Sequence, residues 1–365
     1  MKVLLFSAQW PEYMIELANA LAELEETHLM LPTNHRFTPR HRELISSKVR
    51  FIPYRIISHQ SRRQGLPLAI LILFHIWRIR PDILHIQSNG GYPFLWVFKF
   101  LPRKTKVVNT IHDPVLHIGD KPSLKAHNQR LVDMAIQYTD HYIVHGEFLK
   151  KQLAESYKVS TDRISVIPHG HFEIYKKFTS KPLPKEEPLS VLFFGRIWRY
   201  KGLQHYIDAA NLVIDNLPEA RFYIVGTGDD LSTYQFDENK KDHFIIVNER
   251  VSLEEATYYY AKSAFVVLPY LDATQSGIIP VAYAFSKPVI ATRVGAIPEV
   301  ILEGKTGFLV EPNDVKALAE RMELLLREKK MRIEMGKASY KFALDILGWD
   351  RIGSVVLAVY KKFDN

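Results

Sequence analysis

Short apolar segments alternate with helical patterns along most of the chain. Each apolar run is four to six residues long, a length typical of buried strands, and most runs precede apolar positions at helical spacing. The predicted strands are 3–7, 82–87, 106–111, 141–145, 164–168, 190–194, 220–225, 244–247, 264–268 and 288–291. The main predicted helices are 11–24, 92–100, 148–155, 203–216, 253–261, 316–327 and 331–345. Because strands and helices alternate, we predict an α/β protein built on parallel sheets.

One segment interrupts this alternation. Residues 176–188 are rich in Pro and Lys and have no apolar periodicity, which is typical of a linker between domains. We therefore predict two doubly wound, Rossmann-like domains, residues 1–175 and 189–345, that face each other across a crevice. The last segment, 346–365, has apolar positions at helical spacing and is predicted to form a terminal helix.

Composition narrows the chemistry that the chain can perform. Its 365 residues are 47% hydrophobic and 24% charged, which is ordinary for a globular protein and long enough for two cores. The chain has no cysteine, so disulfides, thiolate metal sites and thiol nucleophiles are excluded. It enters a predicted strand at once, without the pattern of a secretory signal peptide, and we expect a cytoplasmic protein.

The positive charge is concentrated in one region. Residues 36–106 contain fourteen basic and two acidic residues, although the whole chain has a net charge of only +8. An apolar run inside this region, 66–77, is too short to span a bilayer. It could be a core helix beside a solvated basic face, or a segment that contacts an anionic membrane at the cytoplasmic face. No nucleic-acid-binding motif is present, and nucleic acid is not an expected partner.

The first strands of the predicted second domain end in glycine and positive charge. Gly195 and Arg196 follow one strand, Lys201 begins the next helix, and Gly226 and Gly228 follow another strand. Glycine lets the backbone approach a ligand closely, while Arg and Lys side chains can flank a diphosphate. The alternative is a pair of solvated surface cations. These residues make the end of the strand a candidate phosphate site.

A second candidate site lies in the stretch 268–299, which reads as a strand end, a loop, a helix and a further strand. The small polar loop before the helix offers backbone N–H groups to an anion, and the helix dipole adds to the attraction. The residues of this loop and helix start are Thr274, Gln275, Ser276, Gly277 and Ile278. We therefore predict a phosphate-bearing small molecule as the ligand.

The strand-end motifs occur in an order that a known family shares. They are His112-Asp113, Ile167-Pro168-His169-Gly170, Gly195-Arg196 with Lys201-Gly202, Gly226-x-Gly228, Pro269 with the loop after it, 287–292, Gly295-x-x-Pro298-Glu299 and Gly304-x-x-Gly307. Over nearly its whole length the chain thus resembles the family 4 retaining glycosyltransferases of the GT-B fold. The resemblance implies a UDP-, GDP- or ADP-sugar donor bound mainly by the second domain, and a terminal helix that crosses back to the first. It implies no cofactor and no metal.

The resemblance also assigns roles to residues. Arg196 and Lys201 match the pair that stabilises the departing diphosphate, and His112 matches an active-site histidine near the donor sugar. The acceptor, a glycan or a lipid-linked sugar, is expected to bind mainly to the first domain. The acceptor-side candidates there are Asn89, Gly90, Gly91 and Asp113.

The chain departs from the family at one motif. The family usually carries two glutamates, for the sugar and for the ribose, and Ala273 and Val281 occupy these positions here. Neither side chain can accept a hydrogen bond from a hydroxyl. Asp272 and Gln275 are candidates for the sugar contact, and Glu249 is a candidate for the nucleoside.

Three functions remain open at the level of sequence. A retaining glycosyltransferase fits the order of the motifs best. A nucleotide-sugar isomerase of the 2-epimerase type shares the fold and needs acid and base groups in the crevice. A catalytically silent partner subunit that binds a nucleotide or a glycan would explain the two missing glutamates.

Overall fold

A computed structural model of the chain describes residues 1–33, 37–55, 62–87, 93–115, 133 and 135–364. These residues form two compact units. The amino-terminal unit comprises the described residues up to Gly170 together with those from Trp349 onward, and the carboxyl-terminal unit runs from His171 to Gly348. Each unit is a parallel sheet with helices, which confirms the predicted fold class.

The strands and helices alternate as the apolar pattern predicts. The strands are β1 (Lys2–Ser7), β2 (Glu26–Pro32), β3 (Arg50–Tyr54), β4 (Ile83–Gln87), β5 (Lys106–Thr110), β6 (His141–Val144), β7 (Ile164–Val166), β8 (Ser190–Phe194), β9 (Arg221–Gly226), β10 (Phe244–Asn248), β11 (Phe265–Leu268), β12 (Val289–Thr292) and β13 (Gly307–Val310). The helices are α1 (Pro11–Ala22), α2 (Pro39–Glu43), α3 (Arg62–Ile79), α4 (Phe94–Val97), α5 (Glu147–Tyr157), α6 (Leu203–Asn216), α7 (Leu253–Lys262), α8 (Ile278–Ala284), α9 (Val315–Arg327), α10 (Lys329–Asp345) and α11 (Trp349–Tyr360).

In the amino-terminal unit the described strands lie in the order β3-β2-β1-β4-β5-β6-β7, and every pairing is parallel. All carboxyl ends therefore lie along one edge of the sheet, which is where ligands bind in open α/β sheets. The helix predicted at 92–100 is shorter than expected. It continues after α4 as a 3₁₀ turn, Phe98–Phe100, and stops because Leu101 is extended before Pro102.

Helix α3 contains the apolar run at 66–77. It has the buried side chains expected of a core helix and also exposed apolar side chains, as a membrane-contacting segment would have. Ala69, Ile72 and Ile76 are fully buried in the core of the unit, while Ile70 and Phe74 are more than half exposed. The run is therefore a core helix that also carries apolar side chains on its outer face. Among the described helices, none is long and apolar enough to cross a bilayer.

The terminal helix α11 packs in the amino-terminal unit. A Cβ added at Gly353 would lie 3.0 Å from the Cβ of Ala20, so the helix lies close against α1. The hydroxyl of Tyr360 is 2.6 Å from Nδ1 of His85, a fully buried residue of β4. The chain thus returns to its first unit, as the family resemblance implies.

In the carboxyl-terminal unit the strands lie in the order β10-β9-β8-β11-β12-β13, again all parallel. Because β8 is paired with both β9 and β11, the segments that follow these three strands are neighbours at the carboxyl edge. The end of the predicted linker is bonded into this unit, since Glu186 accepts a hydrogen bond of 2.6 Å from the buried Lys287.

Candidate functional site

The segments after β8 and β9 pack backbone to backbone. The N–H of Gly195 donates to the carbonyl of Val225 at 2.9 Å, and the N–H of Asp229, next to Gly228, donates to the carbonyl of Ile197 at 2.6 Å. A Cβ added at Gly226, where φ is +153°, would lie 1.6 Å from the carbonyl oxygen of Gly195. Only glycine permits this approach, and the two segments form one continuous backbone surface.

The two predicted cations of this edge each lie over an aromatic ring. The guanidinium of Arg196 is 4.7 Å from the ring centre of Trp198, and the ammonium of Lys201 is 3.7 Å from that of Tyr270. Cation–π contacts of this kind contribute about 0.5–1 kcal/mol at exposed sites and restrict where the charge can go. The aromatic rings therefore restrict where both charges can lie.

Hydrogen bonds fix the loop after β11. Tyr270 is buried, its carbonyl accepts from Oγ1 of Thr292 at 2.6 Å, and its hydroxyl is 3.3 Å from Oγ of Ser276. Burial raises the pKa of Tyr270 to about 12. Farther along, the carbonyl of Thr274 accepts from the N–H of Ala296 at 2.9 Å. Tyr270 thus connects the charge of Lys201 to the small polar loop.

Within this loop one polar atom lacks a partner. Oε1 of Gln275 is buried and has no hydrogen-bond partner among the described residues. Ser276 accepts from the N–H of Ile278 at 3.3 Å, at the start of α8, which follows Gly277 and is only seven residues long. A buried amide oxygen without a partner is uncommon in folded proteins and indicates a place for a ligand or water.

The candidates that could replace the two missing glutamates lie at different places in the carboxyl-terminal unit. Ala273 and Val281 are both buried, each 3% exposed, so they are part of the core of the unit. Asp272 and Gln275 lie in the loop after β11. Glu249 is exposed after β10, at the outer strand of the sheet, with β9 and β8 between its strand and β11. The first two candidates share the loop, whereas Glu249 lies apart from it.

The amino-terminal unit brings together three histidines. His112 follows β5, His145 follows β6 and His169 follows β7, three neighbouring strands of the sheet. One ring nitrogen of each lies within 4.8 Å of those of the other two. His112 and His145 are buried and His169 is partly buried. We call these three residues the histidine cluster.

The imidazoles of this cluster are neutral at pH 7. Burial lowers the pKa of His112 well below its usual value, that of His145 to about 4 and that of His169 to about 3. Nδ1 of His145 lies 2.9 Å from the carbonyl of Ile167, and Nδ1 of His169 lies 3.0 Å from that of Gly170. A carbonyl can only accept, so each Nδ1 carries the proton and each Nε2 keeps a lone pair.

Polar and aromatic side chains surround the cluster. The side-chain amide of Gln87, at the end of β4, lies 2.6 Å from Nε2 of His112, and Tyr13 of α1 is edge-on to His169. Asp113 is exposed beside His112. The other acceptor-side candidates, 89–91, lie outside the described residues.

Sequence reasoning overlooked several of these residues. It included His169 in a motif without giving it a role in the site, and it did not single out His145, Gln87 or the two aromatic residues under the cations, Trp198 and Tyr270. The available signal was a histidine within three residues of the end of each of three consecutive strands, which in a parallel sheet places them at one edge.

Two parallel Rossmann-like units with these strand-end segments have the GT-B fold. Sucrose-phosphate synthase from Thermosynechococcus elongatus superposes with a TM-score of 0.74 at 16% identity and covers 100% of this chain and 99% of its own. HepE from Anabaena, solved with UDP-glucose, gives 0.69 at 14% identity and covers 99% and 100%. At these identities the likeness concerns the fold.

Sequence comparison then gives the family. Residues 12–171 match Glycosyltransferase Family 4 and residues 188–328 match Glycosyl transferases group 1, and the chain belongs to this family of glycosyltransferases. A relative, D-inositol 3-phosphate glycosyltransferase from Paenarthrobacter aurescens, is 26% identical over 78% of this chain and 75% of its own length. Sulfoquinovosyl transferase from Arabidopsis thaliana is 28% identical over 75% of this chain, which spans only 56% of that protein.

Proposed function

We propose that this chain is a retaining glycosyltransferase that moves a sugar from a nucleoside diphosphate sugar to a glycan or lipid-linked acceptor. The proposal rests on the pair of cations at this sheet edge. Arg196 and Lys201 each lie over an aromatic ring, and the segments after β8 and β9 approach each other as only glycine allows. Retention of the anomeric configuration is an expectation from the family.

The chemistry of the donor explains the two cations. When the sugar leaves, negative charge builds on the nucleoside diphosphate, and fixed positive charges lower the energy of that state. Arg196 offers a planar fork of N–H donors and Lys201 a compact charge. Together they can do what a divalent cation does in other transferases, and we propose that the transfer step needs no metal.

The sugar end of the donor needs hydrogen-bond partners that the missing glutamates would have supplied. We assign the sugar contact to Gln275, whose buried Oε1 has no partner among the described residues, with Asp272 beside it in the loop. A sugar hydroxyl donating to this oxygen would remove the penalty of about 1–3 kcal/mol for a buried acceptor without a hydrogen bond.

The relatives support a nucleotide-sugar donor. HepE, with the same fold, was solved with UDP-glucose, and UDP is the first nucleotide to test on this chain. In the amino-terminal unit, we propose that His112 acts as a neutral hydrogen-bonding imidazole in transfer, because burial lowers its pKa well below 7.

Binding of nucleoside diphosphates tests the proposed site. We expect one of UDP, GDP and ADP to raise the thermal unfolding temperature, since a ligand at 100 times its Kd stabilises by about 2.7 kcal/mol. Arg196→Ala should weaken this binding, because it removes a charge from the diphosphate. Arg321→Ala is the matched control, as its guanidinium also lies 4.7 Å over a ring, that of Phe308, but on α9. Equal loss of binding in the two variants would contradict the assignment of Arg196.

The outer face of α3 suggests how the chain could bind to the membrane that holds a lipid-linked acceptor. Ile70, Phe74 and Trp77 are 60%, 56% and 55% exposed, and with Leu66 they follow one helical stripe. Trp77 donates to the carbonyl of Phe100 at 3.1 Å, which joins a further exposed aromatic to the stripe. Exposed apolar groups of this size commonly mark an interaction site.

Charge around this stripe favours an anionic membrane as its partner. The exposed basic residues nearby in sequence are Arg78, Arg80, Lys99, Arg103 and Lys104. Between 62 and 106 the sequence has one acidic residue, Asp82, which already accepts from the N–H of Lys2 at 2.7 Å. We propose that the stripe lies in the headgroup region of an anionic leaflet, where aromatic and basic residues bind together.

Vesicle flotation tests this contact. The wild-type chain should float with vesicles of anionic phosphatidylglycerol and should release as salt screens the basic residues. Phe74→Ser with Trp77→Ser should reduce the bound fraction about tenfold or more through lost apolar burial. Ile333→Ser with Leu344→Ser, on exposed positions of α10, is the control and should float like the wild type. Similar flotation of both double variants would contradict the proposed face.

A further inference from the structure

The histidine cluster has the composition of a metal site. His112, His145 and His169 are the one group of three potential ligands that lie close enough to hold a metal ion in the part of the chain that the structure describes. All three ligands are imidazoles, without a carboxylate. Such a set suits borderline divalent transition metals such as Zn²⁺ and Co²⁺, and it does not suit Mg²⁺ or Ca²⁺, which prefer oxygen.

In two of the three rings the hydrogen bonds leave a lone pair for a metal, whereas Nε2 of His112 accepts from the Gln87 amide at 2.6 Å and would exchange that hydrogen bond for the metal. Carbonyl acceptors fix the proton of His145 and of His169 on Nδ1 and leave Nε2 as the lone-pair atom. Hydrogen bonds from the other ring nitrogen to a carbonyl are the usual support of metal-binding histidines.

Two buried polar atoms at the cluster lack partners. Nε2 of His145 and Oε1 of Gln87 are buried and have no hydrogen-bond partner among the described residues. A metal would take the lone pair of the first atom. A water on the open fourth position of a three-histidine site could donate to the second, because the Gln87 amide lies against His112.

We propose that the histidine cluster binds one divalent transition-metal ion through one nitrogen each of His112, His145 and His169. The nitrogens lie up to 4.8 Å apart, and a tetrahedral site with bonds of about 2.0–2.1 Å requires about 3.3 Å. Metal binding therefore draws the rings together by about 1.5 Å or less, through side-chain rotation at three adjacent strand ends. In this proposal the metal takes no part in the transfer step.

A bound metal has a consequence for activity. It would occupy a lone pair of His112, the imidazole that we assign to the transfer reaction, so metal loading should inhibit transfer. This consequence rests on the proposed function, whereas the metal site itself does not.

Titration of the tag-free, metal-free chain with Co²⁺ tests the site. We expect one Co²⁺ per chain with visible absorption bands of a site with fewer than six ligands, displacement by Zn²⁺, and a higher unfolding temperature with Zn²⁺. His145→Asn should weaken Co²⁺ binding at least about 100-fold, because one of three ligand bonds is lost, while its amide can still donate to Ile167. Mg²⁺ should neither bind nor stabilise.

The control is a buried histidine at the opposite end of β6 from His145. His141, on β6, hydrogen-bonds to Ser165 at 2.9 Å, and burial lowers its pKa to about 4 as well. His141→Asn should bind Co²⁺ like the wild type. Absence of one-to-one Co²⁺ binding, or equal affinity in the two variants, would overturn the metal site. Binding without loss of transfer would instead contradict the role given to His112.

Discussion

Replacing Lys201 by alanine is expected to lower kcat for sugar transfer by about 10²–10³-fold, the usual effect of removing one group that stabilises charge in a transition state. Binding of the nucleoside diphosphate should fall much less, because Arg196 and the glycine segments remain. The reason is geometric: the ammonium of Lys201 is held 3.7 Å from the centre of the Tyr270 ring, and Tyr270 is connected to the loop through Ser276. The measurement is kcat and KM for the preferred donor.

A second cation of the same unit provides the control for this variant. Lys241 is exposed and pairs with Glu238, away from the strand-end loops, so Lys241→Ala should leave kcat unchanged. Lys201→Arg should recover part of the activity, since the charge is kept but its shape differs. If Lys201→Ala turned over at the wild-type rate, its role at the departing diphosphate would be excluded.

Gly226→Ala should destabilise the carboxyl-terminal unit by about 3 kcal/mol or more and also reduce transfer. A Cβ at this position would lie 1.6 Å from the carbonyl oxygen of Gly195, so the backbone of one segment must move. That movement displaces Arg196, which follows Gly195 directly. Urea unfolding and the transfer rate measure the two effects.

Gly304→Ala is the control for Gly226→Ala. It introduces a side chain at a left-handed backbone position without a steric clash. Its φ is +70°, and a Cβ added there meets no atom within 4 Å. Gly304→Ala should therefore cost only about 1 kcal/mol, the penalty of a left-handed conformation. A loss of stability as small as this in Gly226→Ala would contradict the close approach of the two segments.

Most of the strands could be predicted from the sequence because buried parallel strands are apolar over their whole length, although β2, β3 and β13 were not predicted. β8 and β11 were found in this way, and their neighbours followed from the alternation with helices. Helix ends were less accurate, as the segment 92–100 shows, because local features such as Leu101 before Pro102 decide where a helix stops.

The candidate sites were only partly predictable. Motifs identified the cations and the loop, since their order along the chain matches that of the family. The aromatic residues under the two cations, Trp198 and Tyr270, were missed. Nothing in the sequence shows that Lys201 contacts Tyr270, sixty-nine residues later. The histidine cluster was missed because it depends on β5, β6 and β7 being adjacent, which is a property of the sheet and not of any one motif.

The most direct test of the central claim is release of nucleoside diphosphate from a panel of UDP-, GDP- and ADP-sugars in the presence of EDTA. We expect one donor to release its nucleoside diphosphate slowly without any divalent metal, and Lys201→Ala to slow this release by about 10²–10³-fold. Binding of a nucleotide without release from any donor would favour a silent partner subunit. No release from any donor, together with no thermal shift by UDP, GDP or ADP, would contradict the account.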